Sequence, residues 1–347
     1  MKVGLVGFPG SGKTTIYNAL TGQRAETGYA GRGGRPNRAV VRVPDQRVER
    51  LAEIYQPKKV TFAEIMFVDM PAPPGASQRS LDPQALAAMR EMDALVQVAR
   101  GFPAEDGTAP DPAGELSDLA AELALGDLAP VERRLERLKK ERGRPGETEL
   151  LERLKAQLEQ GLPLRQLTLS ESELTLLSGY RFLTLKPLLV VLNVDEASLG
   201  RPLPPEVEAA AAGLTVIPLS GRIEMDIAAM PPEEQLAFAR ELGLSEPAMG
   251  RFVRAAYAAL DLISFLTVGP DECRAWTIRR GTVAQRAAGK IHSDIERGFI
   301  RAEVMHYDDF MAAGGSEVRV REAGRLRLEG KDYVVKDGDI IHFRHAT

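Results

Sequence analysis

The stretch Gly7-Phe8-Pro9-Gly10-Ser11-Gly12-Lys13-Thr14 fits the pattern G-x-x-x-x-G-K-[ST] at every specified position, and it follows an apolar run at residues 3–6. This pattern at the end of a strand is typical of a phosphate-binding P-loop. Its glycines let successive backbone N–H groups turn toward phosphate oxygens. A helix that begins near Lys13 aims the positive end of its dipole at the same anion. The stretch therefore predicts a site for a nucleoside triphosphate.

The side chains of this loop have separate predicted roles. Lys13 is expected to reach the β- and γ-phosphates, and it is the candidate catalytic residue. The Thr14 hydroxyl is expected to hold a Mg²⁺ ion that bridges the same oxygens. A glycine-rich turn that only connects a strand to a helix is the alternative. The residues predicted to contact the nucleotide here are Pro9, Gly10, Ser11, Gly12, Lys13, Thr14 and Thr15.

A second apolar run, at residues 62–70, contains Asp69 near its end and precedes a turn with three prolines. P-loop enzymes place a carboxylate on the Mg²⁺ side of the site at such a strand end, so Asp69 is the second predicted metal residue. An ordinary turn-initiating aspartate is the alternative. Residues 24–38, between the P-loop and this run, contain four glycines and no apolar periodicity. They suggest a loop in the place where NTPases carry their first switch.

A later apolar run, at residues 187–192, leads into Asn193-Val194-Asp195-Glu196. GTPases carry N-K-x-D at this position, and the aspartate accepts hydrogen bonds from guanine. Val194 replaces the lysine that would stack beneath the base, and the longer Glu196 replaces the aspartate, which argues against selectivity for guanine and makes GTP the less favoured nucleotide. Ser220 follows the next predicted strand and is expected to offer a backbone contact to the base.

Length and composition restrict the other possibilities. A chain of 347 residues predicts two or three packed units, and a formal net charge of -4 argues against a strongly basic nucleic-acid binder. Cys273 is the only cysteine, which excludes an intrachain disulfide and a zinc site built on several cysteines. No apolar run approaches the roughly 20 residues of a membrane span, so a cytoplasmic protein without membrane association is expected.

The middle of the chain predicts a helical insertion. Residues 115–161 are rich in Leu, Glu, Arg and Lys, and the turn-forming stretch Gly143-Arg144-Pro145-Gly146 divides them into two helices. The sequence therefore predicts an antiparallel helical hairpin, which acts more often as a structural or docking arm than as a catalytic element. Apolar residues recur at coiled-coil spacing at Leu128, Val131, Leu135, Leu138, Leu151, Leu154 and Leu158.

The last part of the chain, about 85 residues, predicts a small α+β domain. Short strands are expected at residues 275–278, 299–304, 333–335 and 339–343. Trp276 is most simply a core anchor on the first of them. His292 is most simply a structural hydrogen-bonding group, because a lone histidine is seldom a catalyst.

The chain resembles the YchF/Obg-like ATPases, a branch of the P-loop GTPase class that tends to prefer ATP. The resemblance covers nearly the whole chain, and the form Asn193-x-x-Glu196 is the one that this family uses in place of N-K-x-D. The segments similar to the family's TGS (β-grasp) domain are residues 274–278, 287–294, 298–300 and 330–339, and a further similar segment, residues 122–125, precedes the helical hairpin.

The resemblance implies an α/β fold with three parts. A P-loop NTPase G domain with a parallel-type sheet is expected at residues 1–114 and 176–262. An antiparallel coiled-coil insertion is expected at 115–175, and an α+β β-grasp (TGS) domain at 263–347. The resemblance further implies ATP hydrolysis with Mg²⁺ and association with a ribosome or RNA. It leaves the oligomeric state open.

Three replacements distinguish the chain from the family's pattern. Gly33 stands where the switch I threonine contacts Mg²⁺ and the γ-phosphate. Ala72 replaces the glycine of the switch II D-x-x-G, beside Pro71, and Gly10 replaces an asparagine associated with potassium-assisted hydrolysis. Two hypotheses follow. One is a slow Mg²⁺-dependent ATPase, and the other is a nucleotide-binding scaffold that does not hydrolyse.

Overall fold

The computed structural model describes residues 1–25, 36–70, 81–141, 143–211, 213–244 and 246–346. The chain forms two compact units. The first unit contains Met1–Val40 and Met66–Ala255, and the second contains Val41–Ile65 and Ala256–Thr347.

The secondary structure alternates strands and helices in the first unit and is richer in strands in the second. The strands in chain order are β1 (Lys2–Val6), β2 (Asn37–Arg42), β3 (Lys59–Thr61), β4 (Glu64–Asp69), β5 (Ala94–Gly101), β6 (Leu188–Val194), β7 (Val216–Leu219), β8 (Leu262–Thr267), β9 (Glu272–Arg279), β10 (Phe299–His306), β11 (Arg327–Glu329) and β12 (Asp339–His345). The helices are α1 (Lys13–Thr21), α2 (Gln46–Tyr55), α3 (Pro83–Arg90), α4 (Pro112–Leu138), α5 (Glu147–Glu159), α6 (Glu171–Leu177), α7 (Pro205–Ala211), α8 (Gly221–Ala228), α9 (Pro232–Glu241), α10 (Ala248–Ala259), α11 (Ala284–Ile291), α12 (Ser293–Arg297), α13 (Tyr307–Ala312) and α14 (Glu317–Glu322).

The first unit is built on a six-stranded sheet with the order β2-β4-β1-β5-β6-β7. Strand β1 pairs in parallel with both β4 and β5, and the parallel pairing continues from β5 to β6 and from β6 to β7. The predicted parallel α/β sheet is therefore confirmed. Because the carboxyl ends of parallel strands meet at one edge, the residues at the ends of β1, β4, β6 and β7 are brought together there.

Helices α4 and α5, in the region where the sequence predicts a helical hairpin, share one apolar cluster. The spacing of its leucines predicted which residues pack together. Val131, Leu151, Leu154 and Leu158 are buried in the cluster, and Leu128, Leu135 and Leu138 pack against it. Helix α4 begins at Pro112, three residues before the predicted start, because the Asp111 side chain caps it by accepting from Gly114 N.

A buried carboxylate fixes α4 to the segment that leads into β6. Asp127 is fully buried and accepts hydrogen bonds from the backbone N–H groups of Leu183 and Thr184 at 2.9 and 2.7 Å. Its oxygens also accept from Thr184 Oγ1 at 2.8 Å and from Arg90 at 3.0 Å. Burial raises the pKa of Asp127, and these four donors oppose that shift.

The second unit contains a six-stranded mixed sheet with the order β11-β10-β12-β8-β9-β3. Alanines of α11 share an apolar cluster with Phe265, Ile278 and Phe343 of this sheet. Strand β3 pairs in parallel with β9 although it comes from the early segment 41–65. The sequence predicts that segment 41–65 belongs to the nucleotide-binding domain. The pairing of β3 with β9 could not be predicted, because a strand of three residues is too short to show a period and its partner lies more than 200 residues away.

Several predictions about single residues of the second unit have clear outcomes. His292 caps α12 by accepting from Asp294 N at 3.2 Å, which confirms its structural role. Trp276 is half-buried and stacks on Phe265 with ring centroids 6.2 Å apart, so it packs against the core cluster but is not one of its fully buried residues. The strand expected at residues 333–335 is only a single bridge between Val283 and Val334. Next to this bridge, Ala284 N, at the start of α11, donates to Tyr333 O at 2.8 Å.

No helix in the described parts of the chain is both long enough and apolar enough to cross a membrane.

Candidate nucleotide-binding site

The P-loop connects β1 to α1 and has the backbone that phosphate binding requires. Gly10 and Gly12 have φ values of 80° and 84°, in the left-handed region that favours glycine. Ser11 N donates to Phe8 O at 3.3 Å, and Ile16 N donates to Gly12 O at 2.9 Å as the first bond of the helix. The loop therefore turns tightly and ends at a helix N-terminus, where the dipole favours an anion.

Lys13 is held inside the loop. The residue is only 8% exposed, and Nζ donates to Phe8 O at 2.9 Å. Burial lowers the pKa of Lys13 from its usual 10.5 to about 8, while the carboxylates of Asp69 and Glu115 act in the opposite direction. The ammonium group thus lies within the P-loop under the influence of two acidic groups, and a phosphate group there would favour its charged form.

Thr14 and Asp69 form the predicted metal pair. Thr14 Oγ1 donates to Asp69 Oδ2 at 2.9 Å, and Asp69 is only 4% exposed at the last position of β4. Asn37, the first residue of β2, donates from Nδ2 to the same carboxylate oxygen at 3.2 Å. Hard oxygen donors of this kind fit Mg²⁺, which commonly uses one or two protein ligands together with phosphates and water. The described residues contain no cluster of three or more His, Cys, Asp or Glu that could hold a metal by itself.

Asn193 connects the P-loop to the start of α8. Its Nδ2 donates to Ser11 O at 3.0 Å, and its Oδ1 accepts from Gly221 N at 3.0 Å. The residue is only 4% exposed. The sequence pattern assigned Asn193 to the base. The structure adds a second role, because this amide fixes the distance between the phosphate loop and the segment at Ser220.

The other residues predicted to contact the nucleotide differ in where their side chains lie. Val194 is 7% exposed and belongs to the core cluster with Ala99 and Leu116, so little of its surface is left for a base. Glu196 is exposed at the start of a short 3-10 turn. Ser220 is 2% exposed and immediately precedes α8.

Within the P-loop, Pro9 is half-buried, Gly10 is exposed, and Ser11 is fully buried. Thr15 lies beside Gly221, since a Cβ built on that glycine would be 3.1 Å from Thr15 Cγ2. The structure therefore brings the P-loop, Asp69 and Asn193 together, whereas the side chain of Val194 faces the core.

The sequence did not assign two residues to this site: Asn37 and Glu115. Glu115 lies in the first turn of α4, is 5% exposed and accepts from Arg100 N at 2.9 Å. The only local sequence feature near Glu115 is the helix start at Asp111-Pro112, which places Glu115 in the first turn of α4 but does not predict its approach to Lys13. Asn37 could not be assigned to the site from the sequence, because it reaches Asp69 only through the sheet. Gly221 follows Ser220 at the end of a predicted strand, but its bond to Asn193 could not be predicted.

The replaced switch residues Gly33, Pro71 and Ala72 lie outside the described residues.

Comparisons with known proteins agree with this geometry. A protein-family model described as a 50S ribosome-binding GTPase matches residues 2–140. A second model, named for the C-terminal region of YchF GTPases and described as a protein of unknown function, matches residues 262–346. A protein of Haemophilus ducreyi named Ribosome-binding ATPase YchF is 42% identical, and the alignment covers 99% of this chain and 98% of that protein.

The chain belongs to the YchF family. A YchF of Bacillus subtilis is 38% identical over 99% of both chains, and the Obg-like ATPase 1 of Oryza sativa is 35% identical over 99% of this chain and 92% of its own. The solved structure of a Schizosaccharomyces pombe YchF GTPase matches with a TM-score of 0.83 and 31% identity, covering 99% of this chain and 97% of that one. The fold of the YchF family thus extends over the whole chain, which confirms the resemblance that the P-loop and the C-terminal segments indicated.

Proposed function

We propose that this member of the YchF family is a Mg²⁺-dependent nucleotide-binding protein that prefers ATP, hydrolyses it slowly and associates with ribosomes. The observation that carries the proposal is the joining of Lys13, Thr14 and Asp69 at one sheet edge, with Asn193 tying the loop in place. The similarity to proteins named Ribosome-binding ATPase YchF supports the activity and the partner.

The proposed mechanism is positioning combined with charge neutralisation. Lys13 would exchange its bond to Phe8 O for the β- and γ-phosphate oxygens, and the N–H groups of the P-loop would hold the same groups. Thr14 and Asp69 would hold Mg²⁺, which supplies positive charge where the leaving phosphates become more negative. The hydrogen bond from Asn193 Nδ2 to Ser11 O would keep the P-loop in the conformation that the phosphate contacts require.

The proposed location is the cytoplasm, where a ribosome partner is found. The division into a G domain, a coiled-coil insertion and a TGS domain remains a prediction, as do the base contacts of Val194, Glu196 and Ser220.

Preference for ATP is the first prediction of this proposal. Val194 cannot supply the aliphatic stem and charge of a lysine beneath a base, and a glutamate at position 196 is longer than the aspartate that recognises guanine. We expect unlabelled ATP to displace a labelled nucleotide at concentrations about tenfold lower than GTP, a difference of about 1.4 kcal/mol. Competition binding with both nucleotides measures this directly. A clear preference for GTP would show that the interpretation of Val194 and Glu196 is wrong.

Proton uptake on binding is the second prediction. In the free protein the Lys13 pKa of about 8 leaves much of this group neutral at about pH 8.5. A bound triphosphate favours the charged form and raises this pKa, so binding takes up part of a proton and the affinity falls as the pH rises above about 8. Calorimetric titrations in two buffers with different ionisation enthalpies measure the uptake, which should shrink toward pH 7. Identical apparent enthalpies in both buffers at about pH 8.5 would contradict it.

The alternative is a scaffold that binds nucleotide without cutting it, and the replacements Gly33 and Ala72 favour this hypothesis. Side-by-side measurement of ATP affinity and Mg²⁺-dependent turnover on the purified chain separates the two. Slow but saturable phosphate release supports the ATPase, and tight binding without release supports the scaffold.

Combining Gly33→Thr with Ala72→Gly is expected to raise turnover, because these changes restore the switch contacts that the family pattern implies.

A further inference from the structure

Asn37 is a polar residue that contacts the predicted metal site and has no predicted role in nucleotide or metal binding. It is exposed at the start of β2, yet its amide donates to the buried carboxylate of Asp69. We propose that Asn37 is a positioning residue that orients Asp69 toward the Mg²⁺ ion of the nucleotide complex. This inference rests on the proposed function and adds a residue to its metal site.

Two donors meet at one oxygen of Asp69. Thr14 Oγ1 lies 2.9 Å and Asn37 Nδ2 lies 3.2 Å from Oδ2. A carboxylate held by a single donor can still rotate about its Cβ–Cγ bond, whereas two donors from different elements fix the plane of the group. Because Oδ2 is occupied by these donors, the direction of Oδ1 is fixed as well. An oxygen with a fixed direction can receive a metal ion or a metal-bound water without reorganising.

The chemistry of an amide suits this position. Asn37 donates a hydrogen bond without bringing a charge, so Asp69 keeps the full negative charge that attracts a cation. A lysine here would neutralise the carboxylate, and a second carboxylate would repel it. Partners that orient a metal residue in this way commonly change metal affinity 10- to 100-fold when they are removed.

The strand order of the sheet places Asn37 beside the carboxylate of Asp69. Strand β2 lies beside β4 in the sheet order, and the bond between Asn37 and Asp69 joins the beginning of β2 to the end of β4. Thr14 approaches the same oxygen from the N-terminus of α1. The carboxylate is thus held between a helix and a neighbouring strand, and removal of Asn37 leaves only the contact from the helix side among the described residues.

The test compares metal affinity with nucleotide affinity in the Asn37→Ala variant. The control is Val40→Ala, because Val40 lies on the same strand, is 53% exposed and is not part of the site. Binding of labelled ATP is measured in EDTA and in Mg²⁺, and binding of Mn²⁺ to the ATP complex is measured by electron paramagnetic resonance. We expect Asn37→Ala to weaken Mn²⁺ binding about tenfold and to leave ATP affinity in EDTA within about twofold of wild type.

A conservative variant separates positioning from a general structural effect. Asn37→Gln keeps the amide donor and is expected to recover part of the Mn²⁺ affinity, and thermal melting of each variant reports on the fold. Unchanged Mn²⁺ affinity in Asn37→Ala, or an equal loss of ATP affinity with and without metal, would overturn this inference alone. A wild-type chain whose ATP affinity does not respond to Mg²⁺ would overturn both this inference and the metal dependence of the proposed function.

Discussion

Replacing Lys13 with alanine is expected to reduce the affinity for ATP by at least about 100-fold. The side chain is buried in the P-loop, and its ammonium group would make charge-assisted hydrogen bonds to two phosphates. Such bonds contribute about 1.5–3 kcal/mol each, and about 2.8 kcal/mol corresponds to a 100-fold change in affinity. Alanine also removes a buried positive charge that lies near the carboxylate of Asp69, so the site becomes more repulsive to a triphosphate.

Equilibrium titration with a fluorescent ATP analogue measures this loss. The matched control is Lys140→Ala, which removes an exposed lysine that follows α4 and should leave the affinity unchanged. Thermal melting of both variants shows whether the fold is retained. Affinity of Lys13→Ala within about tenfold of wild type would refute the assignment of residues 7–14 as the triphosphate site.

Gly12→Ala is expected to have a second large effect, and Gly10→Ala provides its control. Both glycines have left-handed backbone conformations, at φ 84° and 80°, so alanine is strained by about 1–2 kcal/mol at either position. Their surroundings differ. A Cβ on Gly12 would lie 2.2 Å from Asn193 Nδ2, whereas a Cβ on Gly10 has no neighbour within 4 Å.

Alanine at position 12 is expected to displace the Asn193 side chain, which links the P-loop to the start of α8. Asn193 must move away, and it then loses its bonds to Ser11 O and Gly221 N, each worth about 1 kcal/mol. We therefore expect Gly12→Ala to bind ATP at least about tenfold more weakly than Gly10→Ala, and to melt at a lower temperature. Equal affinities of the two variants would contradict the role of Asn193 in holding the loop.

The sequence predicted the phosphate end of the site because that end is encoded locally. Residues 7–14 combine glycines, a lysine and a threonine at fixed spacing, and Asp69 and Asn193 each stand at or just after the end of an apolar run. The parallel sheet then brings these strand ends together without further information. The leucine spacing in the insertion succeeded for the same reason, since an apolar helix face is visible in one segment.

Contacts made over long sequence distances could not be predicted in the same way. Asn37 reaches Asp69 only because β2 and β4 are neighbours, and Asn193 reaches Ser11 across 182 positions. The motif predicts a base contact for Val194 but not the burial of its side chain, which packs in the core because every residue of β6 is buried. Burial on both faces of a central strand follows from the fold and leaves no period in the sequence.

Titration of the full-length wild-type chain with ATP in Mg²⁺, repeated in EDTA and with Lys13→Ala, decides whether the P-loop is the triphosphate site. We predict one saturable site per chain, weaker binding without the metal, and loss of the site when Lys13 is removed. Saturable ATP binding that survives the loss of Lys13 at similar affinity would show that the triphosphate is held elsewhere.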